Sequence, residues 1–534
     1  MCIADSRGFS HRFSQRLLIS LLPVGPVLHF WAMNPLMVSG WMVGVVSAAL
    51  VAGTLLLGAL LGLVTRRFDA SVTAAAVLLF LMMANGHVLT VIEATGAPPA
   101  LVRRLLSQAA VHAAYLLAAI GAWAAVRSGR MPVRVPAITA AVLVVLPLAM
   151  LLTRGGDGAS VPPPDLRPSP ASLAIPDTVD PPHIVVLLLD GYARADVLRE
   201  VYDFDNSAFE SALRERGFFV ADSAGANYTQ TMLSLCSLFT MEPLPVGEGA
   251  PFAPSADGYR VRTRLADRYR SAAVWRMLGK VGYLRAATAM YNVPPPAHAD
   301  VVLQDDVMRS IELAMLAEET SWAFLRKVLG RIPGRKRASA INAFMREQLE
   351  YGVQLVRRPQ PAMLFLHLLA PHPPFTLSAR GRSGGDVFPK IHDGSHFHRI
   401  YGTTPRDYIR RYREELPVLN RMVLEAVDSM RAADRPLLLV LMSDHGPGAR
   451  FDFESRVRSD VRERLSSFFA VYSSHGDVTD FPHRITPVNV FPLLFNSHFG
   501  TDFPLHPDRA WYSTWSRPLE LEDVSEEVWG TMDE

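Results

Sequence analysis

Long apolar stretches dominate the first 153 residues. Between residues 17 and 65 there is no Asp, Glu, Lys or Arg. A bilayer core takes about 20 apolar residues per helix, so this stretch predicts two spans with a break near Asn34-Pro35. Uncharged runs over 70–92, 105–126 and 135–153 predict three more. A cleaved signal peptide does not account for the pattern, because one cleavage removes one run and not five. The expectation for residues 1–153 is an all-α bundle of five transmembrane helices.

Beyond residue 153 the texture changes twice. Residues 154–182 carry Gly155-Gly156, Pro162-Pro163-Pro164, Pro168, Pro170, Pro176 and Pro181-Pro182, the composition of an extended linker. Short apolar runs without alternation then follow at 183–189, 362–366 and 436–442. Runs of this kind suit strands of a parallel sheet covered on both faces. Helical patterns such as 207–216 and 410–433 intervene. The prediction is an α/β domain over 183–515 with a largely parallel central sheet, followed by a tail over 516–534.

Composition and charge sharpen this division. At 534 residues the chain is too long for one core, and only 19% of it is charged. Residues 1–153 hold ten arginines and no lysine against three acids (Asp5, Asp69, Glu93), whereas the remainder is net acidic. The basic excess lies between apolar runs and not on a soluble face, which argues against a nucleic-acid partner. Arg7, Arg12 and Arg16, then Arg66 and Arg67, then Arg127, Arg130 and Arg134 all fall on one side if the N-terminus is cytoplasmic. Five spans then put everything after residue 153 outside. Arg103 and Arg104 break the pattern and read as side chains reaching back to an interface. With Cys2 and Cys236 alone, neither a disulfide scaffold nor a thiolate zinc site can be built.

The predicted strands end in groups that bind metal or phosphate. The first runs into Asp190-Gly191, the second into His367 and then Pro371-His372-Pro373-Pro374, the third into Ser443-Asp444-His445-Gly446. In α/β sheets, ligands gather beyond the carboxyl ends of strands. Asp-Gly after a strand is often only a turn, so it is the coincidence of all three that marks a site. The nucleophile has to come from elsewhere. The segment from Asn227 to Met241 reads as a polar loop entering an apolar helix, with Thr229 and Thr231 at its start. A hydroxyl there faces free N–H groups and the positive end of the dipole. Either threonine also serves as a plain helix cap. A divalent cation held by Asp190, Asp444 and His445 could take a Thr231 oxygen and activate it. Asn227 reads as a loop residue with a phosphate oxygen within reach.

Together, Asp190-Gly191, Thr231-x-x-Ser234, His367-x-x-x-Pro371-His372-Pro373-Pro374-Phe375 and Ser443-Asp444-His445-Gly446 resemble the sulfatase-like branch of the alkaline phosphatase superfamily. The five-span anchor with an outward domain is similar to lipoteichoic acid synthases and lipid A phosphoethanolamine transferases. The stretch 482–500 is similar to the helix that follows the last metal ligands in that superfamily. The resemblance implies that Thr231 attacks a phosphodiester, expels a lipid and forms a phospho-threonine that an acceptor hydroxyl or water resolves. It implies Asp190, Thr231, Asp444 and His445 as ligands of one divalent metal, Mn²⁺ or Zn²⁺, with Mg²⁺ or Ca²⁺ as alternatives. His372, with His367, maps near the phosphate and leaving group, and Asn227 and Ser234 map to the substrate side.

On this resemblance the donor is a membrane phospholipid carrying phosphoethanolamine or phosphoglycerol. The acceptor is an envelope glycan, lipid or protein, and the location is a bacterial cytoplasmic membrane with the catalytic domain outside. Alternatives are a phosphodiesterase or phosphatase using water, a sulfatase-like hydrolase, and an inactive envelope scaffold. Arylsulfatases need Cys/Ser-x-Pro-x-Arg, which neither Thr231 nor Cys236 begins. The membrane transferases carry Glu where this chain has Asp190. Val457 stands where some relatives place a His for a second zinc, so one metal is expected. The cluster His392, His396 and His398 reads as a solvated loop at the mouth of the site.

Overall fold

The computed structural model describes residues 13–33, 40–85, 108–157, 173–176, 178–244, 258–290, 293–304, 334–377, 392–475, 478 and 481–530. The chain divides into two compact units, one built on residues 1–165, the other on 166–308 and 333–534.

The first unit is helical, with Val24–Met33, Gly40–Thr65, Phe68–Met83, Gln108–Arg127 and Arg134–Asp157. Gly58 and Gly62 let Gly40–Thr65 approach the next helix, since a Cβ at either would fall 2.7 Å from Val72 or 2.4 Å from Phe68. The outer faces are apolar: Leu63 and Leu117 are each 68% exposed and Val64 84%, which suits hydrocarbon rather than water. Arg16 pairs with Asp69 at 2.7 Å. The five expected spans are not all found. Among the described residues, Gly40–Thr65 alone is long and apolar enough to cross a membrane, with a mean hydropathy of 2.2. Phe68–Met83, Val111–Arg127 and Arg134–Met150 are apolar but shorter. The first expected span is interrupted by a turn at residues 21–23, where Pro23 lacks the amide that would continue the helix. Asn34-Pro35, Arg103, Arg104 and residues 158–172 of the expected linker lie outside the described residues.

The second unit is built on a seven-stranded sheet, β1 (His183–Leu189), β2 (Phe219–Val220), β3 (Leu284–Thr288), β4 (Val301–Leu303), β5 (Ala362–Leu368), β6 (Leu437–Met442) and β7 (Phe469–Ser473). Their order is β2-β7-β6-β1-β5-β3-β4. Strands β1, β5 and β6 are buried at every position, which is why their sequences do not alternate. The sheet is mixed rather than largely parallel. Strand β7 runs antiparallel to both β6 and β2, while β4, β3, β5, β1 and β6 run together. The reason is that β7 follows β6 by a return on the same side and not by a helical crossover.

Register aligns the ends of the three central strands, with Leu188 opposite both His367 and Met442. Strand β1 lies between β6 and β5, so the space beyond its carboxyl end is bordered by all three strand ends, where ligands of α/β sheets gather. Residues 516–530, expected as a tail, belong to this unit. There, β9 (Glu522–Asp523) pairs with β8 (Trp511–Tyr512), and Val524 and Val528 pack with Phe451, Phe453 and Leu465.

Candidate active site

The helix Thr231–Thr240 is held rigidly because Met232 through Phe239 are all buried. Phe239 stacks on Trp275 at 4.8 Å and meets Phe365 of β5 edge-on at 5.1 Å. Each such side chain contributes about 1.5–3 kcal/mol of burial. The helix therefore places Thr231, its first residue, against the carboxyl ends of β1 and β6.

Three expected residues converge there. One ligand atom from each of Asp190, Asp444 and His445 lies within 4.8 Å of the others. His445 Nε2 is 3.1 Å from Asp444 Oδ2 and 3.8 Å from Asp190 Oδ1, and both carboxylate oxygens are buried without a hydrogen-bond partner. His445 Nδ1–H donates to the Gly446 carbonyl at 2.9 Å, so Nε2 presents a lone pair. Burial, and after it the Arg464 charge, lower the His445 pKa and keep the ring neutral. Two carboxylate oxygens and an imidazole lone pair facing one another repel unless a cation lies between them. The donor set therefore fits a divalent metal. Thr231 Oγ1 lies 3.1 Å from the same Nε2, a fourth donor atom at the same point.

Two expected histidines frame Asp190. His367 Nε2 donates to Asp190 Oδ2 at 3.0 Å. His372 Nδ1–H donates to the Pro373 carbonyl at 2.6 Å, and Nε2 is 3.8 Å from Asp393. Burial disfavours the His372 cation, but the charges of Asp190 and Asp393 outweigh it and raise the pKa. Asp190 shows the mirror image: burial favours its neutral form, and the nearby His372 and the His367 hydrogen bond hold it well below the usual carboxylate range.

Other expected residues do not join the cluster. The Asn227 amide is used at both ends, donating to the Arg509 carbonyl at 3.0 Å and accepting from Val488 N–H at 3.0 Å. Ser234 Oγ donates to the Tyr228 carbonyl at 3.2 Å. Thr229 Oγ1 donates to the Ser513 carbonyl at 3.4 Å. Gln230 Nε2 donates to Ser513 Oγ and the Thr514 carbonyl at 3.3 and 3.1 Å. Trp511 N–H donates to the Asn227 carbonyl at 2.8 Å. The loop before Thr231 is thus stitched to residues 511–514. His396 and His398 lie on the helix Gly394–Tyr401 and not in a solvated loop; His396 stacks on Phe453 at 4.9 Å. Val457 is 95% exposed.

Two site residues escaped the sequence reading. Arg464, 2% exposed, pairs with Asp393 and lies 3.1 Å from His445 Nε2 through Nη2. Asp393 also accepts from Tyr408 OH at 2.7 Å. Burial favours its neutral form, but the Arg464 charge wins and pulls its pKa down. The Val461/Leu465 apolar pair bracketing Arg464 was the available signal. Gly446 is forced by this packing, since a Cβ there would lie 2.1 Å from the Glu463 carbonyl.

Glu415 anchors the loop that carries His372, accepting from the Leu377 N–H. Burial pushes its pKa from 4.5 up to about 8. The unfolded chain gives up this proton at lower pH than the folded one. Its stabilising effect is therefore complete below about 4.5 and fades as pH rises through about 8. Between pH 6 and 9 the wild-type melting temperature should fall more steeply than that of Glu415→Gln. Parallel melting curves would refute this.

No protein-family model matches the chain, and no curated protein matches it. Among solved structures, the chain is similar to the C-terminal periplasmic domain of EcEptC from Escherichia coli in complex with Zn, at 13% identity over 66% of this chain and 96% of that one, with a TM-score of 0.41. It is similar to the integral membrane protein lipooligosaccharide phosphoethanolamine transferase A from Neisseria meningitidis, at 11% identity over 91% and 95% of the chains, with a TM-score of 0.38. It is also similar to the lipoteichoic acid synthase LtaP from Listeria monocytogenes, at 14% identity over 64% and 81%, with a TM-score of 0.35.

Proposed function

We propose that this chain is a multi-pass enzyme of a bacterial cytoplasmic membrane, with its catalytic domain outside. In this reading it transfers a phospho-headgroup, phosphoethanolamine or phosphoglycerol, from a phospholipid to an envelope acceptor. The observation that carries the reading is the meeting of Thr231 Oγ1 with His445 Nε2 at 3.1 Å, beside two buried carboxylate oxygens that have no partner. Asp190, Asp444, His445 and Thr231 would hold one divalent ion, Zn²⁺ or Mn²⁺. When bound, that ion supplies Lewis-acid chemistry, favouring the alkoxide of Thr231 and neutralising phosphoryl charge.

The protein groups then act in order. Thr231 Oγ, its proton released to solvent as the alkoxide forms, attacks phosphorus, and the bond from phosphorus to the lipid oxygen breaks. His372 Nε2–H, whose cation Asp393 favours from 3.8 Å, gives its proton to that oxygen. Neutral His372 next takes the proton of the acceptor hydroxyl, which attacks phosphorus and releases Thr231. His367 fixes the Asp190 carboxylate in place. Burial of Asp190, His367, His372, Asp444 and His445 limits water around the reacting phosphorus, which favours transfer over hydrolysis.

The test is to supply the purified full chain in nanodiscs with headgroup-labelled phosphatidylethanolamine or phosphatidylglycerol, together with envelope glycan, lipid and protein acceptors. Label on an acceptor supports transfer, and label appearing only as free headgroup makes the enzyme a phosphodiesterase. Turnover of aryl sulfates without any phosphoester turnover would overturn the reading.

A further inference from the structure

We infer that Arg464 is an anion-binding arm of this site: its Nη2 takes a phosphoryl oxygen when a cation occupies His445, so that the two bind cooperatively. The inference deepens the reading above and rests on a cation binding at His445. It begins from the fact that His445 Nε2 has one lone pair and two donors aimed at it. Thr231 Oγ1 and Arg464 Nη2 each lie 3.1 Å away. A cation at Nε2 takes that lone pair from both.

Thr231 then becomes a ligand itself, but Arg464 cannot turn away. Its Nε donates to the Thr229 carbonyl at 2.9 Å, and Nη1 donates to the Gly446 carbonyl at 3.1 Å and to Asp393. The rings of Phe451 and Phe453 lie 5.2 and 5.4 Å from its central carbon. The guanidinium is a planar fork, so three fixed N–H groups fix the direction of Nη2 as well. At 2% exposure, bulk water cannot replace the lost acceptor.

Loading the cation therefore leaves a buried N–H without an acceptor and two like charges beside one nitrogen. An oxyanion placed between them relieves both at once. A phosphoryl group on or near Thr231 Oγ1 offers such an oxygen, because Thr231 and Arg464 share His445 Nε2 as a neighbour. The ligand class is a tetrahedral phosphoryl oxyanion, whether a lipid phosphodiester or free phosphate. In the absence of the anion, Arg464 competes with the cation.

The test is calorimetric titration of Zn²⁺ into chelator-stripped full chain, alone and with saturating inorganic phosphate or dimethyl phosphate in separate arms. The wild type should bind Zn²⁺ about tenfold more tightly with anion present. Coupling to dimethyl phosphate marks a diester site, and coupling to inorganic phosphate alone marks a site for the free anion; either supports the arm. Arg464→Gln should bind Zn²⁺ at least as tightly as wild type without anion, and its coupling should shrink to about twofold. The double variant Asp393→Asn/Arg464→Gln, in which no charged Asp393 is left without its arginine, should behave the same way and covers a failure of the single variant to fold. Weaker Zn²⁺ binding without anion in both folded variants, or undiminished coupling in either, overturns the proposal. Wild-type Zn²⁺ binding with no anion coupling overturns this inference alone; no Zn²⁺, Mn²⁺, Mg²⁺ or Ca²⁺ binding at all overturns the proposed function with it.

Discussion

Thr231→Ala should lower headgroup turnover by about 10⁴-fold or more, the scale of losing a covalent nucleophile, and leave the fold nearly untouched. Two observations separate these effects. The hydroxyl meets His445 Nε2, so its removal takes away the attacking oxygen and one cation ligand. It caps nothing, because the N-cap of its helix is Gln230, which makes no side-chain capping bond, so the stability change should stay within about 1 kcal/mol. Thr229→Ala is the internal control. It loses a long 3.4 Å bond to Ser513, costs about 1 kcal/mol or less, and should keep turnover within severalfold. Mass spectrometry of wild type given phospholipid without acceptor should find the headgroup phosphate on Thr231. Near-normal turnover by Thr231→Ala would remove the threonine from the reaction.

Asp444→Asn should produce opposite effects on activity and stability. Asp444 Oδ2 faces the lone pair of His445 at 3.1 Å, an acceptor against an acceptor. An amide in its place removes the charge and the repulsion against that nitrogen, while Oδ1 still accepts from Gly191 N–H at 3.4 Å. The metal-free variant should be more stable than metal-free wild type by about 1–2 kcal/mol. Turnover should fall by about 10³-fold or more, and added Zn²⁺ should no longer raise the melting temperature. Asp190→Asn offers no such gain, because it disturbs the bond with His367 at 3.0 Å. A metal-free Asp444→Asn protein less stable than wild type would mean the carboxylate has a structural partner and is not waiting for a cation.

What the sequence disclosed about this site follows burial and order along the chain. Strands β1, β5 and β6 were legible because each is buried on both faces and so apolar throughout. Asp190, Asp444 and His445 were legible because they stop those runs. Arg464 was not, since Val461-Arg-Glu-Arg-Leu465 reads as a charged turn. Its burial comes from Asp393, 71 positions away, and from aromatic rings on a third segment. Asp393 was hidden among three histidines that drew attention to themselves. The direction of β7 could not be read, because an apolar run is the same forwards and backwards. Apolar runs in the first unit marked where helices form, and Pro23 breaks the first of them.

The clasp of Thr229 and Gln230 onto residues 513–514 sets an order of events during synthesis. The clasping residues are made 284 positions after those they hold. At about 5–20 residues per second, the loop bearing Thr231 waits roughly 15–60 s for its latch. Asp190 is made before that interval, and Asp444 and His445 within it. The loop that leads into Thr231 is thus among the last parts of this region to be fastened. A nascent chain thus passes through a stage in which Asp190, Asp444 and His445 have all been made while the segment that fastens the approach to Thr231 has not.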